Sequence, residues 1–167
     1  NNENKKLLKE NTEIRQKNQQ FEQTLSQLSQ EKELLMQKVN SAAMLEVSDI
    51  NLVGINNLGR TTTLLYRFVN LKCSFSILKN KTASVGKKTV YLRIVPPNGN
   101  VLTKDTLSVF SFEDKEISYS CQKEIEYEGE NMDVCLYWQV TQPLAEGTYR
   151  LEIFLDGNLI GEKELKL

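Results

Sequence analysis

Histidine is absent from this chain of 167 residues, and with it go the commonest general base, the commonest zinc ligand and every Ser-His or Cys-His nucleophile pair. Cysteine is nearly as scarce. Cys73, Cys121 and Cys135 are too few and too scattered for a disulfide framework, and no CxxC pair is present for metal or redox work. Buried free thiols are expected, with no cofactor. No apolar run approaches the roughly 20 residues that cross a bilayer, and no succession of basic, apolar and small residues marks a signal peptide. Charge of one sign is not in excess either. The formal net charge is -1, and the helical and β-rich parts are each near neutral, so there is no field to gather nucleic acid.

Glycine and proline are missing from Asn4 to Val39, and within that stretch Leu7, Ile14, Phe21, Leu28 and Leu35 recur every seven residues. This is a heptad seam. With these residues at d, the a positions are Asn4, Asn11, Asn18, Leu25, Lys32 and Val39, polar early and apolar late. Two asparagines facing each other across a parallel dimer satisfy each other's amides; out of register each is buried unpaired, at about 1–3 kcal/mol. The flanking charges agree: Glu10 faces Arg15 and Lys17 faces Glu22 in a parallel pair, each worth about 0.2–1 kcal/mol. The pattern predicts a parallel homodimeric stalk over residues 1–41, with Leu7, Asn11, Ile14, Asn18, Phe21, Leu25, Leu28 and Leu35 at the contact. A lone helix folded back on its own chain is the competing reading, but its apolar stripe is narrow for that.

The seven-residue period ends around Asn40 to Met44, and from Leu45 onward the period is two. Val69, Leu71, Cys73, Phe75 and Ile77 alternate with polar residues; Val90, Leu92 and Ile94 form the next row. Asn98-Gly99 is a tight-turn signal with a hairpin to Val101 expected after it. Ile117, Tyr119 and Cys121 run on into Ile125 and Tyr127. After Gly129 come Met132, Val134, Leu136, Trp138 and Val140, then Tyr149, Leu151, Ile153 and Leu155, with Asp156-Gly157 turning into the last strand. Strands follow strands without helices between them. Residues 45–167 therefore read as an antiparallel, all-β sandwich of about seven or eight strands.

The segment Leu144-Ala145-Glu146-Gly147-Thr148-Tyr149-Arg150-Leu151 resembles the approach to strand F of immunoglobulin-like domains, with Tyr149 as the corner tyrosine. Leu151 stands where that family often has a bridged cysteine, and Trp138 lies in a later strand than the family's tryptophan. The resemblance therefore implies an immunoglobulin-like architecture without an intersheet disulfide. The stalk together with Asn80, Gly86, Val90-Tyr91-Leu92-Arg93-Ile94, Pro97-Asn98-Gly99 and Asp156-Gly157 also resembles uncharacterised Bacteroidetes proteins that join a coiled coil to such a sandwich. Some of those carry automatic chromosome-partitioning labels, although no GxxxxGK[ST] loop is present here. The sequence opens at Asn1 without a methionine and already within the repeat, which predicts a membrane anchor upstream of residue 1 and a bacterial periplasmic or cell-envelope location.

Glu124, Glu126 and Glu128, with Glu130 beyond Gly129, form a carboxylate row that reads as a solvated strand edge resisting aggregation, with a Ca²⁺ site as the alternative. Glu113, Asp114 and Glu116 read as a loop. Tyr66, Phe68, Tyr91 and Tyr137 fall opposite the inner rows, so they are expected on a shared outer face, covered by the N-terminal strand or the end of the stalk or, as the alternative, open as a partner surface. Asn80-Lys81-Thr82 matches a glycosylation sequon. The leading expectation is a non-catalytic adaptor whose dimeric stalk displays two protein-interaction modules. A carbohydrate-binding or adhesive module is the alternative, and carboxylate-pair hydrolysis comes third because no paired acids stand out.

Overall fold

The computed structural model describes the backbone of residues 2–167 and the side chains of all of these except Val39, Asn40, Ser41 and Ala42. Val39, the last seam position, and residues 40–42 of the expected boundary lie outside the described side chains. The chain divides between Ala42 and Ala43 into two compact units.

The first unit is one helix, α1 (Asn2–Ala43), of 42 residues, about 60 Å long at 1.5 Å per residue. Leu, Glu, Lys and Gln dominate it, all strong helix formers. Glu3 lies in the first turn, where a carboxylate meets the positive end of the helix dipole. The hydroxyls of Thr12 and Thr24 donate to the carbonyl oxygens of Leu8 and Gln20 at 2.7 and 2.8 Å, sharing those acceptors with the helix's own backbone bonds. Every side chain from Asn2 to Lys38 is exposed.

The second unit is built of antiparallel strands: β1 (Val47–Ile55), β2 (Thr61–Thr62), β3 (Asn70–Ile77), β4 (Gly86–Val95), β5 (Val109–Phe112), β6 (Lys115–Ser118), β7 (Cys121–Tyr127), β8 (Met132–Gln139), β9 (Thr148–Leu155) and β10 (Asn158–Lys166). One sheet has the order β2-β1-β3-β8, the other β10-β9-β4-β7, and β5 and β6 form a separate hairpin. Alternation explains the pairing. Leu71, Cys73, Phe75 and Ile77 of β3, Val134, Leu136 and Trp138 of β8, Val90, Leu92 and Ile94 of β4, and Tyr149, Leu151, Ile153 and Leu155 of β9 share one buried core, each strand contributing alternate residues.

Three details depart from the sequence reading. Val69 stays outside β3; its amide donates to the Ile55 carbonyl at 2.8 Å and its side chain is partly exposed. Asn98-Gly99 does make a turn, with the Gly99 amide on the Pro96 oxygen at 2.9 Å. No strand follows at Val101, however: only the Leu102 amide returns to Ile94, at 3.0 Å. Pro96 and Pro97 close β4, because proline offers no N–H to a ladder. The run from Ile117 to Cys121 is also split, since Ser120 turns inward: its hydroxyl accepts the Ile94 amide and its own amide donates to Leu92.

Side chains close the two gaps between the sheets. On one side the Lys123 ammonium donates to the Cys135 carbonyl at 3.2 Å and the Cys121 thiol to the Tyr137 carbonyl at 3.0 Å. On the other, Lys163 Nζ donates to the Ile50 carbonyl at 2.8 Å. Backbone oxygens that an edge leaves open are thereby occupied.

Candidate functional site

The registers divide the strands of the β unit into two ends. Val47, Ile77 and Met132 lie together at one end, and Ile55, Asn70 and Gln139 at the other. The chain enters at the first end, where the Asn80 amide group donates to the Met44 carbonyl at 3.1 Å. At the opposite end, the segment after β4 and the one between β8 and β9 enclose a groove of about 320 Å³.

All three prolines of the chain, Pro96, Pro97 and Pro143, line this groove. Trp138 and Tyr149 contribute from the strands, and Asn98, Asn100, Thr103, Thr141 and Gln142 bring polar groups. No Asp, Glu, Lys or Arg lines it. Proline fixes φ, so the walls are stiff. Gly147 locks them together: it has φ 146°, and a Cβ placed there would lie 2.6 Å from Pro97 Cγ. Only glycine allows that approach. The Tyr149 hydroxyl donates to the Ala145 carbonyl at 2.8 Å, and burial pushes its pKa above the ordinary tyrosine value. Asn98 Oδ1 accepts the Asn100 amide at 2.9 Å. The side-chain amides of Asn100 and Gln142 make no hydrogen bond among the described residues and so face solvent in the groove. Such a set offers a shaped surface with amide and hydroxyl hydrogen-bonding groups and no full charge.

The aromatics expected on one face do not share it. Phe68 is 9% exposed and belongs to the core, because β1 carries Gly54 beneath its ring. Tyr91 lies on the outer face of the β4 sheet but is covered by the β5–β6 hairpin, its ring stacked on Phe110 at 4.4 Å. Phe154 joins that cluster, 5.0 Å from Phe110 and 4.8 Å from Phe112. Tyr137 is 55% exposed on β8, in the other sheet, and Tyr66 is 78% exposed in a short 3-10 turn, Leu65–Arg67, under the Arg67 guanidinium.

On α1, Leu7, Ile14, Phe21, Leu25, Leu28 and Leu35 are each between 56% and 69% exposed, and Asn11 and Asn18 are exposed as well. Asn4, Leu7, Leu8 and Asn11 line a common hollow, so a and d residues occupy one face.

Glu124, Glu126, Glu128 and Glu130 are exposed, and among the described residues no group of three or more acidic or sulfur ligands is placed to hold a metal. Glu113 and Asp114 form the turn of the β5–β6 hairpin with φ of 48° and 61°, and Glu116 lies in β6. Asn80 caps its own turn, its Oδ1 accepting the Thr82 amide at 2.9 Å. The cysteines are free thiols; burial pushes Cys73 up to about 12 and Cys121 up to about 11, which keeps them protonated and unreactive. Among the described residues no helix is long and apolar enough to cross a membrane.

Residues 48–167 match the family described as Domain of unknown function (DUF8428). No curated protein matches the chain. Among solved structures it is similar to the Pseudomonas fluorescens alkylpurine DNA glycosylase AlkC bound to DNA containing an abasic site analog, at 13% identity and a TM-score of 0.42 over 74% of this chain and 30% of that one. A Kluyveromyces marxianus β-glucosidase is similar at 12% identity and a TM-score of 0.41, over 74% of this chain and 14% of that one. The chain thus spans less than a third of either protein.

Proposed function

We propose, for a chain that belongs to the DUF8428 family, a non-catalytic adaptor: α1 pairs in parallel with a second copy and displays two immunoglobulin-like β-sandwiches as protein-interaction modules. The observation that carries this is the row of apolar side chains at seven-residue spacing, each more than half exposed in the single chain. A second copy of the same row covers it, since knobs at a and d fit the holes of an identical helix. Glu10 with Arg15 and Lys17 with Glu22 supply charge complementarity for the parallel arrangement.

The sandwich reading draws support from strand order. With β1, β3 and β8 as A, B and E, and β4, β9 and β10 as C, F and G, both sheets fall in immunoglobulin-like succession. The Tyr149 hydroxyl on Ala145 has the geometry of the corner tyrosine. Pairing two modules raises the effective strength of weak contacts.

Sedimentation of the chain at micromolar concentration tests it. A dimer is expected, and Ile14→Lys with Leu28→Lys should convert it to monomer while the β unit stays folded. A monomeric parent chain refutes the reading.

A further inference from the structure

The geometry points to the groove between the β4–β5 and β8–β9 segments as a binding site for an uncharged, extended peptide segment. This rests on the adaptor reading above and names what the β unit holds.

Charge is the first argument. No ionisable group but the tyrosine hydroxyl, itself engaged with Ala145, lines the groove, so a charged side chain entering it would lose water without gaining a counter-charge. The amides of Asn100 and Gln142 are the second. Each carries a donor and an acceptor in one plane, the same pair a peptide unit presents, and both are unengaged among the described residues. Stiffness is the third. Pro96, Pro97 and Pro143, with the Gly147 contact on Pro97, hold the walls in place before anything binds, which lowers the ordering cost of association.

A sugar ring shares the hydrogen-bonding chemistry but needs an exposed aromatic face. Trp138 and Tyr149 are buried, so they offer none. The β1–β2 turn at the same end of the strands instead exposes Leu58, an apolar side chain of the kind that rims protein contacts. The peptide is therefore favoured over the glycan.

The test is selection of a random heptapeptide display library on the full chain and on the full chain carrying Asn100→Asp and Gln142→Glu, with Gln142→Glu alone as the milder variant. All these positions are exposed, and unchanged thermal melting confirms folding. Enriched sequences poor in Asp, Glu, Lys and Arg are expected, and a synthesised member should bind the parent at least tenfold more tightly than the variants. No enrichment, equal binding to parent and variants, or glycan-array signals that vanish in the variants would overturn the proposal. The Ile14→Lys, Leu28→Lys chain should keep the peptide affinity unchanged, so failure of the groove and failure of the stalk are read separately.

Discussion

The hydroxyl of Tyr149 donates to the carbonyl of Ala145, four residues upstream, at 2.8 Å, and thereby ties the lip of the groove to the core end of β9. Tyr149→Phe keeps the ring and removes the bond. A loss of about 1 kcal/mol is expected, the usual net worth of one intramolecular hydrogen bond, measured as a lower urea midpoint. Faster amide exchange across residues 141–147 should accompany it.

Gly54 and Phe68 make a close backbone-to-ring contact. A Cβ on Gly54 would sit 2.1 Å from Phe68 Cε1, inside any allowed separation. Gly54→Ala should cost about 1–3 kcal/mol, as overpacking does, and Phe68→Leu in the same chain should recover part of it. Denaturant titration of the single and double variants checks both.

Asn11 and Asn18 are predicted to trade stability for register. Asn11→Leu with Asn18→Leu should raise the melting temperature of the helical signal yet broaden the sedimentation profile into several species. A single sharp dimer of the double variant would contradict that role.

Alkaline pH should unfold the β unit through its buried acids. Cys73, at about 12, and Cys121, at about 11, lie above their ordinary value of 9.0. A folded-state pKa above the unfolded one means the unfolded chain releases protons first. Their contribution is thus complete below pH 9.0 and is lost as pH rises through 11 and 12. Tyr149 adds to the loss in the same direction. In reducing buffer, Cys73→Val should flatten the fall of the urea midpoint across this range; an unchanged slope would rule the thiol out as its source.

Strand identity was legible wherever one face is dry, as in Leu71, Cys73, Phe75 and Ile77, because period two is imposed locally by the pleat. Long-range detail was not. The break at Ser120 depends on the Ile94 amide it satisfies, and the burial of Phe68 on a glycine of β1. Tyr91 sits on an outer face as its alternation implies, but nothing local announces that a hairpin carrying Phe110 folds over it. The groove joins residues of 96–103 to residues of 138–149; its visible trace in the sequence was the confinement of every proline to two segments.

Lys123 on Cys135 and Lys163 on Ile50 would matter most in the paired state proposed above. Tethering raises local concentration to about the millimolar range, where bare strand rims zip into ribbons. Two ammonium groups, each seated on a carbonyl of the facing sheet, take up acceptors that a neighbouring module would otherwise reach.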